Sequence, residues 1–125
     1  MVTAEIGHYI DLSGTYLQRA HAYLSEGDLT QASEKGWGAA AVLVKACAEA
    51  RGLHHDRHHQ LWRTVNRLVD ETGNRELQML FSQVESLHGN YYEDYWDATT
   101  VAAHLHQVDV FVEKLRPLIE PPTDA

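Results

Sequence analysis

The chain has 125 residues, of which 10 are basic and 18 acidic, and its net charge is −8 with histidine taken as neutral. This length fits one domain with a real core, and the acidic balance argues against non-specific binding to duplex DNA, which needs a basic protein face. There is no apolar run of about 18 residues, so we expect no membrane span, and without a basic start followed by an apolar stretch we expect a cytoplasmic protein.

Helical periodicity starts near the N-terminus. The first predicted helix runs from about Thr3 to Ser25. The second follows Asp28, an expected N-cap, and ends before Gly52. Its apolar side recurs at steps of three and four and is rich in small residues, which allows close approach of a neighbouring helix. The single cysteine, Cys47, falls on this side, which indicates a buried structural thiol.

Three further helices complete the chain. They are predicted from about His58 to Glu71, from Asn74 to His88 and from Ala98 to Leu118, with a polar and aromatic stretch at residues 89–97. The last helix carries an apolar seam of heptad regularity, as in an antiparallel bundle. We therefore predict an all-α fold, an up-and-down bundle of four to five antiparallel helices formed by residues 1–120, with a disordered tail at 121–125.

Several segments of the sequence resemble one protein family. They read QASEKGWGAAAVLVKA from Gln31, HHDRHHQLW from His54, LHGNYYEDYW from Leu87 and VAAHLHQVDVFVEKL from Val101. Together they resemble the HEPN superfamily, the higher-eukaryote and prokaryote nucleotide-binding domains, and within it the PaREP-type branch of archaea and bacteria. The resemblance implies an up-and-down bundle that commonly dimerises. Many HEPN members are metal-independent ribonucleases of toxin–antitoxin or defence systems, and others are inactive modules that bind nucleotides or RNA.

The sequence departs from the motif of the ribonuclease members. They carry an arginine followed a few residues later by a histidine, near the start of the last helices. At the corresponding place this chain has Leu87 and His88, with Tyr92 near the expected histidine. Arg51 and His58 have a suitable spacing but flank the second loop. We therefore expect no robust ribonuclease activity.

A histidine cluster, HHDRHH, precedes the third predicted helix. Its imidazoles belong to His54, His55, His58 and His59. On a helix these residues form two pairs at i,i+4, the spacing that presents two imidazoles to one zinc ion. Two pairs on one helix start do not complete a closed coordination shell, so we expect no obligatory metal and no cofactor. The alternative is a solvated helix start with incidental histidines.

A second candidate site lies at the expected end of the fourth helix. It combines His88, Asn90, Tyr92 and Glu93 with Lys45 of the second helix. His88 is suited to acid–base chemistry and Glu93 to orienting it. The ammonium of Lys45 needs a partner, either a carboxylate such as Glu93 or Asp94 or a phosphate. The alternative is a helix C-cap with Gly89 or Asn90 in the left-handed conformation.

Two further groups of residues are candidates for binding, one on the second helix and one after the expected end of the fourth helix. The second helix carries Glu34, Lys35, Trp37 and Lys45, whose lysines either bind phosphate or extend to solvent. The tyrosines and tryptophan of residues 91–96 are suited either to stacking on a base or to packing within the protein.

Three functions follow from these patterns. The leading hypothesis is an HEPN-like module without the ribonuclease motif that binds a nucleotide, RNA or a protein, including a nucleotidyltransferase-like partner implied by the resemblance. The second is a ribonuclease or other hydrolase that uses His88 with Glu93 and Lys45. The third is a structural homodimer without ligand. We expect a homodimer under the first hypothesis as well, because the chain carries three tryptophans, six tyrosines and an unbroken apolar seam.

Overall fold

The computed structural model describes residues 2–123, and within that range it contains helices and no strand. The helices are α1 (Ala4–Glu26), α2 (Leu29–Glu49), α3 (His58–Thr72), α4 (Glu76–Glu93) and α5 (Ala98–Leu115), followed by a 3-10 turn (Arg116–Leu118). The predicted all-α bundle is confirmed. Of the predicted disordered tail, residues 121–123 have no regular secondary structure, and residues 124–125 lie outside the described range.

Short polar residues and glycines set the ends of the helices. The side chains of Thr3, Asp28 and Asp97 each accept a hydrogen bond from the backbone N–H three residues later, at the starts of α1, α2 and α5. Gly27 and Gly73 end α1 and α3 with φ of 80° and 72°, a left-handed conformation that favours glycine. The prediction of Asp28 as an N-cap is confirmed.

Helix α2 is the centre of the bundle, since it packs against α1, α3, α4 and α5. Its small residues allow these approaches. A Cβ atom added at Gly36 would lie 2.5 Å from Leu105 Cδ2 and 3.3 Å from Leu87 Cδ1, and one added at Gly38 would lie 3.1 Å from the ring of Tyr16. The predicted close approach of neighbouring helices is therefore confirmed on two sides of α2.

Gly36→Val should lower the free energy of unfolding by about 1–3 kcal/mol, because the added atoms overpack a closed part of the core. The matched control is Gly14→Val in α1, where an added Cβ meets nothing within 4 Å. That control should be neutral or slightly stabilising, because glycine is the poorer helix former. Urea denaturation of both variants measures the difference, and equal effects would contradict a close approach at Gly36.

The fourth helix is longer than predicted. It continues through His88 and ends at Glu93, and the left-handed residue that follows is Asp94, with φ of 48°, rather than Gly89 or Asn90. The alternative interpretation of this segment, a helix C-cap at Gly89 or Asn90, is therefore wrong. The last hydrogen bond at the end of the helix lies beyond Asn90: the N–H of Asp94 donates to the carbonyl of Asn90 at 2.8 Å.

The apolar seam of α5 packs inside the chain's own core. Its buried members are Val101, Leu105, Val108, Phe111, Val112 and Leu115. The seam that motivated a homodimer is thus covered by the same chain, and dimerisation stays a prediction. The helix stops before Pro117, which lies in the 3-10 turn because it has no N–H for an α-helical bond. Within the described range, the helices lack the combination of length and apolar character that crossing a bilayer requires.

Arg51 joins three parts of the bundle. Its side chain is only 2 % exposed and forms a two-pronged ion pair with Glu71 of α3, with N–O distances of 2.8 and 3.0 Å. The same guanidinium donates to the carbonyls of Cys47 in α2 and of Leu118 and Ile119 at the C-terminal turn. Hydrogen bonding from Arg51 lowers the pKa of the Glu71 carboxyl.

The single cysteine is fully buried on the apolar side of α2. Burial raises the pKa of the Cys47 thiol to about 12, because a thiolate is poorly solvated there. The thiol is therefore protonated at neutral pH, and the predicted burial of Cys47 is confirmed.

Candidate functional site

Two histidines from different helices meet over one tryptophan. His58, the first residue of α3, stacks on Trp37 of α2 with ring centroids 5.0 Å apart and planes 16° apart. His88 of α4 lies 5.6 Å from the same ring, and the two imidazole centroids are 6.0 Å apart. Trp37 is 6 % exposed, whereas the side chains of His58 and His88 are 45 % and 32 % exposed. Both imidazoles are therefore partly exposed at the surface and pack against the buried ring of Trp37.

A carboxylate holds each imidazole. Glu85 Oε2 lies 2.5 Å from His58 Nε2 and also accepts a hydrogen bond from Trp62 Nε1 at 2.8 Å. Glu34 Oε2 lies 3.3 Å from His88 Nδ1. These contacts orient the rings and leave His58 Nδ1 and His88 Nε2 without a hydrogen-bond partner among the described residues. One nitrogen of each imidazole is therefore free to form a hydrogen bond with a ligand.

The helical register explains how the sequence builds this arrangement. Glu34 and Trp37 lie one turn apart on α2, and Glu85 and His88 lie one turn apart on α4. The two helices thus each present a carboxylate next to a ring. Each carboxylate contacts an imidazole on a different helix: Glu34 of α2 contacts His88 of α4, and Glu85 of α4 contacts His58 of α3. We call Glu34, Trp37, His58, Glu85 and His88 the imidazole cluster.

An exposed tyrosine extends the imidazole cluster toward solvent. Tyr92 follows His88 by one turn of α4, and its ring meets the imidazole edge-on with centroids 5.2 Å apart. The residue is 71 % exposed. The ring of Tyr91 lies close by, with its centroid 5.0 Å from that of Tyr92. Tyr92 therefore exposes most of its side chain beside the imidazole of His88.

Comparison with known proteins places this chain in a family. The sequence model of the archaeal PaREP1/PaREP8 family matches residues 8–112. This chain belongs to that family. The PaREP1/PaREP8 protein is also similar to a crystal structure of a Sulfolobus solfataricus protein, with 23% sequence identity and a TM-score of 0.76 over 87% of this chain and 97% of that one. At this identity the likeness supports the fold alone. Comparison with curated proteins gives no match.

Asn90 of the PaREP1/PaREP8 protein, a predicted ligand-binding residue, is fully buried. Its amide nitrogen donates to Ser33 Oγ at 2.9 Å, and its oxygen accepts from the backbone N–H groups of Tyr95 and Trp96 at 3.1 and 3.0 Å. The side chain therefore holds the turn after α4 against α2, and its described hydrogen bonds go to residues outside the imidazole cluster.

Two other predicted site residues lie apart from the imidazole cluster. Glu93 is exposed, and the carboxylate beside His88 belongs to Glu34 instead. Lys45 lies three turns beyond Glu34 on α2, roughly 16 Å along the helix axis. Within residues 2–123 no ion pair or hydrogen bond links it to Glu93 or Asp94. The structure thus unites His88 and Tyr92 and separates both from Lys45.

The histidine cluster of the PaREP1/PaREP8 protein does not form i,i+4 pairs. His54 and His55 precede α3, and only His58 and His59 belong to it. His55 Nε2 contacts Glu49 at 2.9 Å, while His58 turns to Glu85, so the side chains diverge. Across the described range, no group of three or more histidine, cysteine or acidic side chains converges as metal ligands. The helical pairing expected from the spacing is therefore wrong.

Sequence reasoning missed Glu85 and Trp62. A signal for Glu85 was present as spacing, because Glu85–His88 on α4 repeats the one-turn interval of Glu34–Trp37 on α2. A cleft of about 420 Å³ is lined by Leu17, Asp109, Val112, Glu113 and Arg116, none of which belongs to the imidazole cluster. The imidazole cluster itself is a surface site, because the side chains of His58 and His88 are 45 % and 32 % exposed.

Proposed function

We propose that this PaREP1/PaREP8 protein is an HEPN-like module that binds a nucleotide, or the unpaired end of an RNA, at the imidazole cluster without cleaving it. The observation that carries the proposal is the continuous contact of Tyr92, His88 and Glu34, an exposed aromatic face followed by an imidazole and a carboxylate. Aromatic faces stack unpaired bases, and imidazoles hydrogen-bond to base edges.

The charges around the site favour the nucleoside part of the ligand over its phosphates. Glu34 and Glu85 resemble the acidic residues that accept hydrogen bonds from ribose hydroxyls in nucleotide sites. The same carboxylates repel phosphate, as does the net charge of −8. We therefore expect the base to stack on Tyr92 and the phosphate to face solvent. Binding should depend little on salt concentration, because few phosphate counterions are released.

The same geometry argues against efficient phosphoryl transfer. Charge that develops on a reacting phosphate needs a positioned cation or donor. In the described part of the chain, no lysine or arginine is hydrogen-bonded or ion-paired to a member of the imidazole cluster. A hydrolase that uses His58 and His88 as an acid–base pair is the second candidate, and the 6.0 Å separation of their rings favours it.

Titration of a labelled sample with adenosine, uridine and their monophosphates, followed by NMR, tests the binding proposal. Ligands should shift the resonances of His58, His88 and Trp37. Tyr92→Leu should weaken binding about tenfold through the lost stack. The matched control is Tyr95→Leu, because Tyr95 is 70 % exposed like Tyr92 but contacts Trp96 and makes no described contact with His88. No shift at millimolar ligand, or equal losses in both variants, would contradict the proposal.

An RNA cleavage assay separates binding from catalysis. Single-stranded RNA should remain intact with the purified protein. Cleavage that survives purification and disappears in both His58→Ala and His88→Ala would establish the acid–base alternative. His106→Ala is the control, because His106 is exposed on α5 and makes no described hydrogen bond.

The resemblance also motivates two partner proposals, a homodimer and a nucleotidyltransferase-like protein. Sedimentation at micromolar concentration tests the first, and a monomer would contradict it. Co-expression with a nucleotidyltransferase-like protein encoded nearby, followed by size-exclusion chromatography, tests the second. Separate elution of the two proteins would contradict that proposal.

A further inference from the structure

The turn after α4 presents a row of aromatic rings at the surface. Tyr95 is 70 % exposed and meets Trp96 edge-on at 5.9 Å. Trp96 in turn packs on His104 of α5 with centroids 4.2 Å apart. An exposed tyrosine carried on a partly buried tryptophan is a common form of binding surface, because such rings lose little conformational entropy on binding.

Carboxylates surround this aromatic row. Glu93, Asp94 and Asp97 are all exposed. Asp97 caps α5, and the hydrogen bond from the backbone of Thr100 lowers the pKa of its carboxyl. Glu93 and Asp94 have no ion-pair partner among the described residues. The surface formed by Glu93, Asp94, Tyr95, Trp96 and Asp97, which we call the acidic aromatic surface, therefore combines ring faces with negative charge.

The acidic aromatic surface is held in place before any partner binds. The buried side chain of Asn90 accepts hydrogen bonds from the N–H groups of Tyr95 and Trp96. Asp94, with φ of 48°, turns the chain sharply between α4 and these residues. A surface fixed in this way loses less entropy on association than a mobile loop.

We propose that the acidic aromatic surface docks an arginine- or lysine-bearing segment of a partner protein. A guanidinium stacks on tyrosine and tryptophan rings through a cation–π contact and also pairs with carboxylates. The negative charge of this surface, within a chain of net charge −8, favours a positively charged partner segment. Nucleic acid fits poorly, because its phosphates would meet carboxylates. This proposal uses Tyr95 rather than the imidazole cluster and is independent of nucleoside binding.

An NMR titration of the full chain with a synthetic peptide of alternating arginine and glycine tests the proposal. The peptide should shift the backbone amides of residues 93–97 and the indole of Trp96, while His88 stays unchanged. Tyr95→Ala should weaken binding about fivefold through the lost cation–π contact. The double variant Glu93→Gln, Asp94→Asn should weaken it by at least about fivefold. Asparagine tolerates the left-handed conformation at position 94, so this variant should keep the fold.

The matched control is the double variant Asp11→Asn, Asp70→Asn, which removes two exposed carboxylates, one on α1 and one on α3, that make no described ion pair. This control should bind the peptide like the parent protein. Equal weakening by the two double variants would show attraction to net charge alone and would overturn the proposal. A short oligouridylate that shifts residues 93–97 while the peptide does not would assign the surface to nucleic acid and would also overturn it.

Discussion

Arg51→Met should lower the free energy of unfolding by about 3 kcal/mol, because it removes one partner of a buried ion pair. Methionine has a similar length but no donors. The carboxylate of Glu71 would lose its two-pronged partner, and the carbonyls of Leu118 and Ile119 would lose their only described donor. Urea denaturation followed by circular dichroism measures the change.

The matched control for Arg51→Met is Arg67→Met. Arg67 contacts the same Glu71 carboxylate at 3.2 Å, but its side chain is 51% exposed. An exposed pair contributes about 1 kcal/mol or less. A loss in Arg67→Met as large as that in Arg51→Met would show that burial of the guanidinium does not set the effect.

The ion pair also predicts how stability depends on pH. Arg51 lowers the pKa of Glu71 in the folded state below its ordinary value of 4.5. The resulting stabilisation is complete above the unfolded pKa and is lost as the pH falls through the folded pKa. The free energy of unfolding should therefore fall less on acidification in Arg51→Met than in the parent protein, measured between pH 5 and pH 3. Parallel pH profiles would contradict this.

Asn90→Ala should lower the free energy of unfolding by about 2–3 kcal/mol, because it removes a buried side chain that makes three hydrogen bonds. The backbone N–H groups of Tyr95 and Trp96 would lose their acceptor. Their amide hydrogen exchange should accelerate more than that of the α5 core. Asn90 thus acts on the acidic aromatic surface through the backbone that carries it.

Asn66→Ala is the control for Asn90→Ala. Asn66 is exposed on α3 and accepts a single hydrogen bond from Gln78. Its loss should change stability by about 0.5 kcal/mol or less, as for surface substitutions in general. If both variants lose the same stability, or if the amides of Tyr95 and Trp96 exchange at the parent rate in Asn90→Ala, the holding role of Asn90 is wrong.

The sequence predicted the helices well because apolar periodicity is a local signal. It placed the end of α4 too early because Gly89 and Asn90 have the composition of a C-cap. The hydrogen bonds that fix the end of α4 join the Asn90 side chain to Ser33 and to the backbone of residues 95–96. Ser33 is distant in the sequence, so no local pattern reports that contact.

The imidazole cluster was predicted only in part for a similar reason. His88 and Tyr92 stand one turn apart, which the sequence shows. The carboxylate beside His88 comes from Glu34 of another helix, and His58 was interpreted with its histidine neighbours. Both assignments depend on the relative register of α2, α3 and α4, which is set by packing such as the close approach of Leu87 of α4 to Gly36 of α2.

The residues of the imidazole cluster lie on helices that are packed to different extents in the bundle. His88, Glu34 and Trp37 stand on the central helices, whereas His58 stands on α3, which packs mainly against α2 and α4. Such a peripheral helix can detach in a sub-global opening while the rest of the bundle stays folded. A ligand that bridges both imidazoles would then bind only the docked population and would slow hydrogen exchange throughout α3. Exchange protection of one helix would therefore report occupancy of the site.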